Sequence, residues 1–163
     1  MVRVPSPVAP IVVMNTWQHR WAATDRQGKG DTVAKKKQHS LWKTEPDEHD
    51  YPAAYDYLTL FITEKTAKTV VTGLRRAPIS HRKAKDILRA SALQLLAPDS
   101  EHVAKDIKKV ENGTLLSPVL LVRGGLSSTR PLIVADGYHR ICASHHLDEN
   151  LDIPCRIADV PAR

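Results

Sequence analysis

The run Asp136-Gly137-Tyr138-His139-Arg140 combines side chains that bind anions and move protons. Arg140 can hold a phosphate through two parallel hydrogen bonds, and His139 can donate a hydrogen bond or transfer a proton near neutral pH. Gly137 permits a tight turn and a close approach of the backbone to a ligand. An acid beside a bound anion repels it unless the acid holds a metal, binds another donor or acts as a base, and these roles are open to Asp136.

The segments on either side should place this run at the start of a helix. Residues 132–135 predict a buried strand, and a helix follows from about Gly137 to Leu147. The first N–H groups of such a helix have no partner within it, and its dipole is positive there, which predicts an anion site. A structural alternative stays open, in which Asp136 only caps the helix and Arg140 pairs with it.

Strands and helices alternate along the rest of the chain, which predicts an α/β (α+β) fold. The run 118–122 is continuously apolar, and this indicates a strand buried on both faces. Residues 153–157 predict a last strand, at the edge of the sheet because Pro154 lacks a backbone N–H. The other predicted elements are a helix capped by Asp50, a helix over 64–76, a short helix capped by Ser80, a strand over 92–96, and a helix that begins at Asp99 or Ser100 and ends at Gly113.

The excess positive charge lies at the beginning of the chain. Of a formal net charge of +6, residues 1–43 contain 8 Lys+Arg and 2 Asp+Glu, whereas residues 44–163 contain 16 of each. Residues 1–43 keep no helical or strand period, which predicts a disordered basic arm or an extension from a mis-assigned start codon. Contact with nucleic acid is expected only through this arm, where Trp17, Trp21 and Trp42 are candidates to stack on bases.

The two cysteines and the hydropathy pattern bear on the compartment. Cys142 and Cys155 have neither the spacing of metal ligands nor the density of a disulfide scaffold. No apolar run approaches the roughly 20 residues that a membrane span needs. We therefore expect a cytoplasmic protein in a reducing compartment, without a membrane partner.

Residues 86–158 resemble the ParB/sulfiredoxin superfamily, whose shared device is a strand–turn–helix motif with a G-x-[HR]-R core. The resemblance rests on the run 117–122, the strand 132–135, the turn 136–140 and the following helix with Ala143. It implies a small domain with a mixed sheet over 86–158, and the helical spacing of apolar residues predicts a helical segment over 44–85, which the resemblance does not cover. It also implies that the turn holds nucleotide phosphates, through Gly137, Tyr138, His139 and Arg140.

Members of the superfamily differ in this motif. Sulfiredoxins have a nucleophilic cysteine where this chain has Tyr138, so sulfiredoxin chemistry is not expected. Partition-type members have Gly-Glu-Arg-Arg, followed by a DNA-reading and a dimerisation region, for which the 23 residues after Arg140 are too few. Free serine kinases have Asp-Gly-His-His-Arg, which differs from this motif only at Tyr138.

Similarity to these kinases implies catalytic roles and cofactors. Asp136 would act as a metal ligand or base beside His139, and Glu101 would activate the acceptor hydroxyl from the start of the helix after the first strand. The implied cofactors are a nucleotide (ATP, ADP or CTP) and Mg²⁺, and the acceptor stays open. The expected function is a phosphotransferase or NTPase, and the alternative is a non-catalytic, nucleotide-responsive regulator that binds a protein or nucleic-acid partner.

Overall fold

The computed structural model describes residues 41–124 and 132–161, which form a mixed α/β fold with five helices and four strands in these ranges. The predicted fold class is confirmed. In chain order the elements are α1 (Asp50–Thr59), α2 (Glu64–Arg76), β1 (Ser80–Lys83), α3 (Ala84–Ser91), α4 (Glu101–Glu111), β2 (Val119–Arg123), β3 (Leu132–Asp136), α5 (Tyr138–Leu147) and β4 (Asp152–Asp159).

The four strands form one sheet in the order β1-β4-β2-β3. Strand β4 is antiparallel to β1 and parallel to β2, and β2 is antiparallel to β3. The side chains of Val119 and Leu121 enter the core on one face of β2, and those of Leu120 and Val122 enter the core on the other. This confirms that the continuously apolar run is buried on both faces.

Helices cover both faces of the sheet. Residues of α3, α4 and α5 fill the core on one face, and residues of α1 and α2 fill the core on the other. The contribution of α1 and α2 consists of Tyr51, Ala54, Leu58, Ala67, Val70 and Leu74. Helices α1 and α2, which precede residues 86–158, therefore pack on one face of the same sheet.

Trp42, which the sequence placed in the basic arm, is a core residue. It is 6% exposed and packs in the same core as α3 and α5. A short parallel bridge joins Trp42 to Leu116, and the Lys43 N–H donates to the Leu116 carbonyl at 2.8 Å. The prediction of an arm without regular structure is thus wrong for residues 41–43, whereas residues 1–40, with Trp17 and Trp21, lie outside the described residues.

Two predicted elements near the start of the sheet were wrong. Ser80 begins β1 rather than capping a helix, because residues 80–83 pair with β4 and the helix starts only at Ala84. Residues 92–96 form no strand. Ala92 caps the end of α3 in the left-handed conformation. The residues after it are held along α5 by hydrogen bonds from Tyr138 to the Gln94 carbonyl (2.5 Å) and from His146 to the Leu96 carbonyl (2.7 Å).

The predicted last strand lies inside the sheet, not at its edge. Pro154 pairs with His81 of β1, whereas the ladder with β2 begins only at Cys155. Pro154 thus lies where β4 has a strand on one side only, which is how an interior strand tolerates a residue without an N–H. No helix in the described part of the chain is long and apolar enough to cross a membrane.

Candidate functional site

The turn that the sequence singled out lines a cleft of about 510 Å³ at the junction of β3 and α5. All five residues of the turn contribute to its wall. The other lining residues are Ala53 and Tyr57 of α1, Leu93 just after α3, Asp106 of α4, and Val134 and Ala135 of β3. A more open hollow of about 630 Å³, bounded by residues 42–48 and Leu115, contains no residue of the turn.

The backbone of the turn has the geometry of a helix start exposed to the cleft. The pairing of β2 with β3 shifts between Leu120 and Leu121, which leaves Ala135 as an extra residue and redirects the chain just before Asp136. Gly137 is the N-cap of α5 with φ +99° and no side-chain cap, and the first backbone bond of the helix runs from Ile141 N–H to the Gly137 carbonyl. The N–H groups of residues 138–140 precede that bond and are not used by the helix.

Arg140 is part of a buried ion-pair network in this structure. Its guanidinium donates to the carboxylates of Asp136 and Asp50, the latter at 3.3 Å, and to the Ser117 carbonyl at 2.7 Å. Its side chain is 12% exposed. The structural alternative, in which Asp136 caps the helix and pairs with Arg140, is thus half correct. The Asp136–Arg140 pair is present, but Asp136 is not a cap because α5 has no side-chain cap.

Asp50 is a member of this network that sequence reasoning missed. It was predicted to cap α1, but the N-cap is His49, and the Asp50 side chain is 4% exposed. Its carboxylate accepts hydrogen bonds from the Ser117 hydroxyl and from the Asp47 N–H, at 3.0 Å for the latter. An acid at a helix start is an ordinary feature, and no local signal indicates a partner 90 positions away.

The surroundings of Asp136 favour its protonated form. Burial raises the pKa of its carboxyl, the neighbouring charge of Asp50 raises it further, and Arg140 opposes both. Two carboxylates and one guanidinium share the site, so their net charge is −1 when both acids are ionised. Asp136 therefore exchanges a proton closer to neutral pH than an ordinary aspartate, as a general base or acid requires.

His139 faces a second histidine across the helix pair α4–α5. Its ring centroid lies 4.7 Å from that of His102. Burial, and then the charge of His102, lower the pKa of His139, whereas Asp106 raises it. His139 is therefore neutral at pH 7 and able to accept a proton. Neither His102 nor Asp106 was singled out from the sequence, because their relation to His139 depends on the packing of α4 on α5.

This arrangement predicts the titration of His139. We expect its imidazole pKa, measured by NMR, to lie below the usual 6.5, to rise in His102→Ala and to fall further in Asp106→Asn. Because the folded-state pKa is lowered, the stabilisation linked to this group is present above pH 6.5 and is lost as the pH falls through the lowered value. A His139 pKa that is the same in His102→Ala, in Asp106→Asn and in the wild type would contradict this arrangement.

Glu101 lies differently from what the resemblance implies, whereas Tyr138 lines the cleft with the rest of the turn. Glu101 is exposed in the first turn of α4 and does not line the cleft, and the strand over 92–96 on which its assignment depended is absent. The Tyr138 ring lines the cleft, but its hydroxyl is held by the Gln94 carbonyl. Cys142 is buried, and burial raises the pKa of its thiol, which disfavours the reactive thiolate.

Comparisons with known proteins do not identify a family. No family model, curated protein or solved structure matches this chain. Within residues 41–124 and 132–161, no group of three or more His, Cys, Asp or Glu side chains is arranged to hold a metal ion.

Proposed function

We propose that this protein binds the phosphates of a nucleotide at the turn 136–140, as the resemblance of residues 86–158 to the ParB/sulfiredoxin superfamily implies. The observation that carries the proposal is that all five residues of the turn line one cleft at the start of α5, where the N–H groups of residues 138–140 precede the first hydrogen bond of the helix. Gly137 holds the turn against the sheet, because a Cβ on this residue would lie 2.6 Å from a methyl carbon of Val119.

The charges of the turn favour an anion at the start of α5. The helix dipole and the N–H groups of residues 138–140 supply positive potential, and His139 supplies a hydrogen-bond donor. Arg140 is already neutralised by Asp50 and Asp136. Its contribution to phosphate binding therefore requires that Asp136 give up part of this pairing.

Asp136 is the residue that would hold Mg²⁺ in this proposal. Protein sites for nucleotide-bound Mg²⁺ commonly contain only one or two carboxylates, since phosphate and water complete the coordination. Two acids, Asp136 and Asp106, line the cleft, which fits that pattern, and Asp106 is already paired with Lys109. The ion would supply neutralisation of phosphate charge, and the same carboxylate would then be less available to Arg140.

Phosphoryl transfer is a second candidate function, and the raised pKa of Asp136 favours it. Such transfer needs charge neutralisation, alignment and a positioned base more than covalent chemistry from the protein. Asp136 lines the cleft whereas Glu101 does not, so Asp136 is the stronger candidate for the base, a role that is the alternative to holding Mg²⁺. Nucleotide binding without turnover would instead indicate the non-catalytic regulator.

The test is calorimetric titration of the folded full chain with ATP, ADP, CTP and GTP in the presence of Mg²⁺. We expect one nucleotide to bind, and His139→Ala to weaken its binding by about 10- to 150-fold, the range for a hydrogen bond to a charged group. His145→Ala, at the other end of the same helix, is the control and should bind normally. No binding by the folded wild type, or equal weakening in both variants, would refute the proposal.

A further inference from the structure

An exposed aromatic pair lies at the end of α1. Tyr57 is 38% exposed and Phe61 is 50% exposed, in a chain whose aromatic content is only 5%. Their ring centroids are 5.5 Å apart and the ring planes are inclined at 74°, which is an edge-to-face contact. Such a contact orients the two rings, and the exposed fraction of Tyr57 is the part that a ligand can reach.

Tyr57 belongs to the same cleft as the turn at the start of α5. The lining of this cleft is divided in chemical character. The apolar or aromatic members are Ala53, Tyr57, Leu93, Val134, Ala135 and Tyr138. The polar members are Gly137, His139, Arg140 and the acids Asp136 and Asp106, which are paired with Arg140 and Lys109 respectively. Its volume of about 510 Å³ falls within the range of ~300–1,000 Å³ of small-molecule sites. A ligand that fits both parts has a flat aromatic portion joined to an anionic portion.

We propose that the base of a nucleoside phosphate stacks on Tyr57 while its phosphates lie at the start of α5. The inference rests on the proposed function and deepens it, because it assigns a residue of α1 as the contact for the base of the nucleotide. Every base has a π-face, so stacking on an exposed tyrosine tolerates several bases. Tyr57 lies outside residues 86–158, so the resemblance does not imply this contact.

The test compares ATP with inorganic tripolyphosphate, both with Mg²⁺, by calorimetry on the full chain. ATP should bind more tightly than tripolyphosphate to the wild type. Tyr57→Ala should weaken ATP by about 5- to 150-fold, the range for loss of one base–aromatic stack, and should leave tripolyphosphate unchanged. Tyr57→Phe keeps the ring and should keep ATP affinity. Leu60→Ala, at a position 78% exposed on the same segment and outside the cleft, should affect neither ligand.

The outcomes separate this inference from the function on which it rests. Equal affinity for ATP and tripolyphosphate, or equal weakening of both by Tyr57→Ala, would overturn base stacking and leave phosphate binding intact. Failure of the folded wild type to bind either ligand would overturn both. Tyr57→Ala could instead change the elution volume in size-exclusion chromatography and leave the ATP affinity unchanged. That result would assign the aromatic pair to a contact between copies of the chain and would overturn the inference.

Discussion

Gly137→Ala is expected to lower the free energy of unfolding by about 2–5 kcal/mol, as measured by urea denaturation. Part of this cost, about 1–2 kcal/mol, comes from a left-handed backbone at a residue with a Cβ, since φ is +99°. The other part, about 1–3 kcal/mol, comes from overpacking against Val119, which is fully buried at the centre of the sheet. The same variant should abolish nucleotide binding, because the turn must move.

Gly113→Ala is the matched control for this prediction. Gly113 also has a positive φ (+73°), just after α4, but an added Cβ there would meet no atom within 4 Å. Its cost should therefore be only the backbone term of about 1–2 kcal/mol. In a Val119→Ala background the cost of Gly137→Ala should fall towards that of Gly113→Ala. Equal costs for the two glycine variants in the wild-type background would refute the close packing of the turn.

Arg140→Met is expected to destabilise the fold by about 3–5 kcal/mol, because removing one partner of a buried ion pair leaves an uncompensated charge. The Asp50 side chain is 4% exposed and would lose its cation, and Asp136 would lose the same partner. Adding Asp50→Asn to Arg140→Met should restore part of the stability, since the buried charge is then removed. Urea unfolding of the four proteins in this double-mutant cycle measures the coupling.

Arg123→Met is the control for Arg140→Met. Arg123 also pairs with an aspartate, at 3.0 Å from Asp159, but the two side chains are 52% and 71% exposed. Exposed pairs contribute at most about 1 kcal/mol, so this variant should unfold nearly as the wild type does. Similar costs for both variants would mean that the Arg140 network does not stabilise the fold. Loss of nucleotide binding in an Arg140 variant is therefore not by itself proof of a phosphate contact.

The strand, turn and helix around residues 132–147 were predictable because their signals are local. An apolar strand, a glycine at the required positive φ and a helix start follow each other within a few residues, and the structure has them in that order. The helix over 101–111 was predictable for the same reason, with Val103 in the core, Ile107 and Val110 packed against it, and Gly113 just after its end.

The elements that sequence reasoning missed depend on distant partners. Residues 80–83 contain no apolar alternation, and they are a strand only because β4 pairs with them some 70 positions later. Residues 92–96 have the composition of a strand, but their carbonyls bond to side chains of α5 rather than to a neighbouring strand. Pro154 favours an edge in any local analysis, and its position depends on where the β2 ladder begins.

The candidate site divides in the same way. Which residues form the turn, and that Gly137 must be glycine, follow from residue types and spacing within 136–140, because backbone sterics and helix polarity act locally. That Arg140 is shared with Asp50, that Tyr57 lines the cleft and that His139 faces His102 followed from no local pattern. These contacts arise where α1 and α4 pack beside the turn, because tertiary packing joins residues far apart in sequence. They determine the charge around the turn and the side chains that face the cleft.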